Sequence, residues 1–153
     1  MTAKVQLYKD RRREGSITLD TGQAFRCLGK SDQGAADQHG NPTRDPLKTM
    51  GDLPTGTYRA TRSAPHQPTE ANLRSYGPGP YWKLFAISGD ALTAAQNGRS
   101  GIEMHGGPTG APMPANALRP THGCLRVDDS TITAIAELPG SDAFDLEVVA
   151  EAS

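Results

Sequence analysis

The chain has 153 residues, a net charge of −1, 35% hydrophobic and 5% aromatic residues. That length fits one domain, expected over residues 1–153, with a modest core, and the near-neutral charge excludes the basic footprint of a nucleic-acid binder. No apolar run approaches the length of a membrane span, and the glycine and proline content stays below the level that signals disorder.

Residues 1–6 lack the apolar stretch of a secretory leader, and their polar–apolar alternation reads as a first strand. Residues 4–9 and 16–21 alternate on either side of Arg13-Glu14-Gly15, which predicts an opening β-hairpin. The basic cluster Lys9 to Arg13 then lies at its solvated tip. A third strand is expected over 23–28, followed by a long polar loop over 29–51. Residues 56–62 read as a strand. The proline-rich stretch 65–80 reads as irregular, with a helix there disfavoured by Tyr76-Gly77-Pro78-Gly79-Pro80. Both irregular stretches are long enough to wall a groove. Residues 81–87, which include Trp82 and Phe85, form the strongest strand, and 91–96 suggest one helical turn closed by Asn97-Gly98.

Downstream, Ile102 and Met104 alternate with Glu103 and His105 before two glycines, so a short strand carries a histidine outward. A linker with four prolines leads to Arg119-Pro120-Thr121-His122-Gly123-Cys124-Leu125-Arg126-Val127. If that segment is extended, His122, Cys124 and Arg126 share one face while Leu125 and Val127 enter a core. Asp128-Asp129-Ser130 supplies capping residues for a helix carrying Ile132, Ile135, Ala136 and Leu138, and 143–149 closes the chain as a strand. The expected fold is mainly β, a β-sandwich-like or β-rich α+β arrangement with one short helix after the cysteine motif and long irregular loops.

A free thiol is only about 3% thiolate at neutral pH, and a nearby imidazole raises that fraction by ion pairing. His105 arrives on a separate strand and can meet Cys124 head-on, whereas His122 sits two residues away along the same one. Gly123 has no side chain, so its N–H and that of Cys124 are candidate oxyanion donors. Thr121 and Arg126 are assigned to substrate binding, the arginine because its planar fork suits a carboxylate; a structural pairing with Asp128 or Asp129 is its alternative. Glu103, His105, His122 and Cys124 lack the ligand spacing of a zinc site, and no metal or cofactor is expected. Cys27 lies in a strand-like run and reads as a buried structural residue.

The pairing of His105-Gly106 with Thr121-His122-Gly123-Cys124-Leu125-Arg126 resembles the signature of the L,D-transpeptidase catalytic domain, the YkuD-type family. A looser match lies in Gly51-Asp52-Leu53-Pro54-Thr55-Gly56-Thr57-Tyr58. The resemblance implies a β-sandwich, Cys124 as nucleophile and His105 as base, oriented by the carbonyl of Gly106, with His122 in support. It also implies peptidoglycan stem peptides as substrates, 3→3 cross-linking or D-amino-acid exchange through a Cys thioester, and carbapenem-type β-lactams as covalent inhibitors. Carboxypeptidase or endopeptidase action at the same site is the alternative, and a non-catalytic peptidoglycan- or protein-binding domain is a second one. A monomer at the cell envelope or periplasm is expected, with a cytoplasmic or secretion-system-exported protein left open by the missing leader.

Overall fold

The computed structural model describes residues 1–111 and 113–151. Of the four prolines in the linker, Pro112 lies outside the described residues. Strands β1 (Thr2–Tyr8), β2 (Gly15–Leu19) and β3 (Ala24–Leu28) run as an antiparallel meander. They are followed by β4 (Gly56–Ser63), β5 (Tyr81–Ser88), β6 (Glu103–His105), β7 (Leu125–Val127) and β8 (Ala143–Glu151). Hydrogen-bonded neighbours run β1-β2-β3-β7-β6-β5-β4-β8, and β8 returns to pair with β1, closing a barrel.

This corrects the sandwich. The strands were expected nearly where they stand, but β1 and β8 pair in parallel along seven residues, from Thr2↔Asp145 to Tyr8↔Glu151. That pairing joins the two edges that a pair of separate sheets would leave open. Inward–outward alternation is the same in a sandwich and a barrel, so the pattern alone does not separate them. The interior is filled by Val5, Leu7, Ile17, Tyr58, Trp82, Met104, Leu125, Phe144 and Leu146, all buried. The two polar handles in this core find acceptors: Tyr58 Oη donates to Pro54 O at 2.6 Å and Trp82 Nε1 to Ser141 O at 2.7 Å.

The single-helix expectation also fails. Four helices are present among the described residues: α1 (Gln33–Gln38), α2 (Glu70–Tyr76), α3 (Gly89–Gln96) and α4 (Asp129–Ala136). Helix α1 lies inside the stretch read as a loop, capped by Asp32, whose carboxylate accepts from Ala35 N at 2.9 Å. Helix α2 lies where a helix was disfavoured. Thr69 caps it through Asn72 N at 3.1 Å, and Gly77 (φ 76°) stops it before the prolines take over. No described helix is long and apolar enough to cross a membrane.

Leu146 is fully buried and stands opposite Ala3 of β1 on one side and Tyr58 of β4 on the other. It therefore packs at the closure. Leu146→Ala is expected to cost roughly 2–5 kcal/mol in denaturant unfolding; a cost below about 1 kcal/mol, the scale of a minor packing change, would mean that closure contributes little.

Candidate active site

Strands β6 and β7 are parallel neighbours with Met104 opposite Leu125 and His105 opposite Arg126. Met104 and Leu125 point into the barrel core. His105 and Arg126 therefore face outward, and Glu103 and Cys124, each just before its paired residue, reach the same outer cleft. All four line a cleft of about 480 Å³. Asp32, Thr49 and Met50 from the 29–51 segment wall one part of it, and Arg74, Ser75 and Tyr76 from the end of α2 contribute another. Both long stretches thus reach the cleft.

His105 is 2% exposed, and its Nδ1 lies 2.8 Å from Gly106 O. A carbonyl can only accept, so the ring carries its proton on Nδ1 and Nε2 keeps a free lone pair. Tyr76 and the ring meet in a T-shaped contact with a centroid distance of 5.0 Å. Burial, with the Arg126 charge acting in the same direction, pushes the imidazole down to about 4, so it is neutral at neutral pH.

Arg126 is buried, and its fork is already engaged by backbone carbonyls. Nη1 donates to Gly106 O at 2.6 Å and to Ser75 O at 3.2 Å, and Nε donates to Arg119 O at 2.9 Å. It pairs with neither Asp128 nor Asp129: Asp128 takes a two-pronged contact from Arg26, and Asp129 Oδ1 accepts from Gly107 N at 2.9 Å. Two of the three nitrogens of the fork expected to hold a carboxylate are thus taken up by main-chain carbonyls. Its charge instead braces the carbonyl that orients His105. A side chain at Gly107 would collide with Arg126 Nη1, and one at Gly106 would collide with Asp129 Oδ1.

Cys124 sits at the end of a tight turn rather than on an extended strand. Thr121 Oγ1 accepts from Gly123 N at 3.1 Å and Cys124 N at 2.8 Å, and donates to Cys124 O at 3.1 Å. Those two N–H groups were the expected oxyanion donors; here they are committed to Thr121, which is buried and shapes the turn. Gly123 has φ 108°, which rotates His122 out of the alternation and leaves it exposed at the cleft rim. The turn is held from behind by a residue the sequence did not reveal. Arg99 donates to Pro46 O, Gly51 O, Asp52 O and Gly123 O at 2.6–3.0 Å. Its neighbours Asn97-Gly98 and Ser100-Gly101 are turn residues, and nothing local marks a guanidinium that joins four distant carbonyls.

The Cys124 thiol is half-buried, with Sγ 3.6 Å from Gly101 O. Burial pushes it up to about 11, and the Glu103 carboxylate adds to this against the Glu103 N–H and the Arg99 and Arg126 charges. Burial thus favours the neutral form of both the thiol and the imidazole. Cys27 is fully buried and pushed up to about 12. Among the described residues no group of three or more His, Cys, Asp or Glu side chains is placed to hold a metal ion.

Two left-handed glycines separate strain from crowding. A Cβ at Gly98 (φ 96°) meets open space, whereas one at Gly123 would strike Arg99 Nη2 and Gly51 O. Gly98→Ala should cost about 1–2 kcal/mol of backbone strain. Gly123→Ala should cost clearly more and alter the alkylation rate of Cys124, which Gly98→Ala leaves unchanged. Equal costs, with unchanged thiol reactivity in both, would contradict the Arg99 clamp.

No curated protein matches the chain in sequence. Among solved structures, it is similar to Bdellovibrio bacteriovorus Bd1075, with a TM-score of 0.52 and 16% identity over 99% of this chain and 49% of that one. It is also similar to the helical cell shape determining protein Pgp2 from Campylobacter jejuni, with a TM-score of 0.50 and 16% identity over 99% of this chain and 48% of that one. The chain spans about half the length of these structures, and at such identity the likeness is one of fold. The family model of the L,D-transpeptidase catalytic domain, YkuD, matches residues 6–142. With nearly its whole length matched, this chain belongs to the YkuD L,D-transpeptidase catalytic-domain family.

Proposed function

We propose that the protein is a cysteine acyltransferase acting on peptidoglycan stem peptides, with Cys124 as nucleophile and His105 as its base. The observation that carries this reading is the pairing of β6 with β7, which brings Cys124 and an Nδ1-anchored His105 to one cleft. With Nδ1 held by Gly106 O, the Nε2 lone pair is available for the thiol proton as sulfur attacks a donor carbonyl. Because both groups rest neutral, the proton moves during attack and not before it. The proton then passes to the departing amine of the donor's terminal D-residue, leaving a thioester on Cys124. An acceptor amine or water resolves it. Thr121 and Gly123 shape the cysteine turn in this scheme, and Arg126 acts through Gly106 and His105, so it positions the base without holding substrate.

Membership of the peptidoglycan-processing family supports the substrate class. The cleft is walled by two chain segments, which suits an extended peptide. Mass spectrometry of muropeptides incubated with the purified protein tests the proposal. A tetrapeptide stem should give dimers or exchanged stems lacking the original terminal D-residue; tripeptides alone would indicate a carboxypeptidase. Cys124→Ala should abolish turnover and carbapenem labelling, His105→Ala should slow acylation by roughly 10²–10⁴-fold, and Cys27→Ala should change neither. A reactive Cys124 with no stem processed would overturn the peptidoglycan assignment, and a carbapenem adduct on Cys27 would overturn the site.

A further inference from the structure

Glu103 is a charged group in the cleft for which the acyl-transfer scheme has no use. It lines the same cleft as Cys124, and its side chain is 17% exposed. Among the described residues, the one basic side chain within salt-bridge distance of it is His66, whose Nε2 lies 3.7 Å from Glu103 Oε1. That is an ion-pair separation but too long for a hydrogen bond, and His66 Nε2 is buried with no hydrogen-bond partner. The imidazole is clamped flat between Tyr76 and Tyr81, with ring centroids at 3.9 and 4.2 Å and interplanar angles of 22° and 12°. Tyr76 also packs edge-on against His105. A rigid, under-satisfied carboxylate–imidazole pair therefore borders the nucleophile and touches the same tyrosine as the base.

A carboxylate beside a thiol that must become anionic opposes acylation, and burial costs the carboxylate as well. In the resting thioester sulfur carries no charge, and it is protonated as it departs, so the carboxylate no longer faces a thiol that must first lose its proton. The carboxylate then becomes an attractive partner for a cation arriving at the acyl carbon. We propose that Glu103, fixed by His66, is the binding group for a protonated primary amine that resolves the Cys124 thioester, so that the cleft favours aminolysis over hydrolysis. This rests on the acyl-transfer reading above and specifies its acceptor. In the step, the acceptor ammonium gives one proton to the Glu103–His66 pair and on to solvent. Its nitrogen forms the C–N bond as the C–S bond breaks, and its second proton returns to sulfur, restoring the thiol. Nothing is oxidised or reduced.

The test uses the full chain with a tetrapeptide stem donor and a free D-amino acid as amine acceptor, following the acyl-enzyme by intact mass and the products by chromatography. Glu103→Gln keeps the shape and removes the charge. It should form the acyl-enzyme at least as fast as the wild type, yet lower the ratio of aminolysis to hydrolysis by roughly tenfold or more by raising the acceptor KM. Glu103→Asp should recover part of that ratio, and His66→Asn should lower it less than Glu103→Gln does. An unchanged product ratio in Glu103→Gln with normal acylation would overturn the proposal and leave the acyl-transfer reading intact. Loss of acylation together with thiol reactivity in Glu103→Gln would mark Glu103 as structural and overturn it too. Failure of the wild type to form any acyl-enzyme from the stem would overturn both.

Discussion

The carbonyl of Gly106 is the group on which the site depends. It accepts from His105 Nδ1 at 2.8 Å and from Arg126 Nη1 at 2.6 Å. Neither donor can move without disturbing the other, because both side chains are buried between β6, β7 and the end of α2. The carbonyl can be shared only because position 106 bears no side chain, since Asp129 occupies the space a Cβ would need. Asp129 in turn fixes the next peptide through Gly107 N. One peptide unit thus sets the tautomer, orientation and charge of the imidazole.

A similar solution recurs on the cysteine side. Arg99 and Arg126 are both buried, and both are satisfied by neutral carbonyls instead of carboxylates. A buried guanidinium so arranged avoids the unpaired-charge penalty while fixing several loop peptides at once, each charge-assisted bond contributing roughly 1.5–3 kcal/mol. Arg99 joins the 46–52 segment to the Cys124 turn, and Arg126 joins the α2 end, Gly106 and Arg119. Long irregular stretches become fixed walls without regular structure of their own. Both guanidinium charges also act on Cys124 from nearby, lowering its thiol against the larger effect of burial.

Much of this was legible in the residues. Alternation placed seven of the eight strands to within a few positions, whereas the 119–127 segment is extended only over Leu125–Val127. The Gly106 carbonyl at His105 Nδ1 followed from the resemblance carried by two short motifs. What failed depended on contacts distant in sequence or on competing local signals. Barrel closure requires Thr2–Tyr8 to find the last strand, and nothing in either segment marks parallel pairing. Helix α2 had its own start and stop in Thr69-Glu70 and Gly77, but the prolines on both sides outweighed them. The free fork of Arg126 and the free N–H groups of Gly123 and Cys124 were inferred from the chemistry of single residues. Their actual partners, Gly106 O, Arg119 O and Thr121 Oγ1, depend on how the turn folds back. Arg99 and His66 carried no signal, since each matters only through elements far away in the chain.

In the proposed chemistry cysteine and histidine rest neutral, with the histidine locked by the Gly106 carbonyl. Imidazole nitrogen NMR of His105 in the resting protein tests it most directly, because the two ring nitrogens report tautomer and charge separately. The expected result is a neutral ring protonated on Nδ1 at neutral pH, titrating at about 4, with the same neutral form in Cys124→Ala. An imidazolium signal at neutral pH that disappears in Cys124→Ala would show a preformed thiolate–imidazolium pair and contradict it.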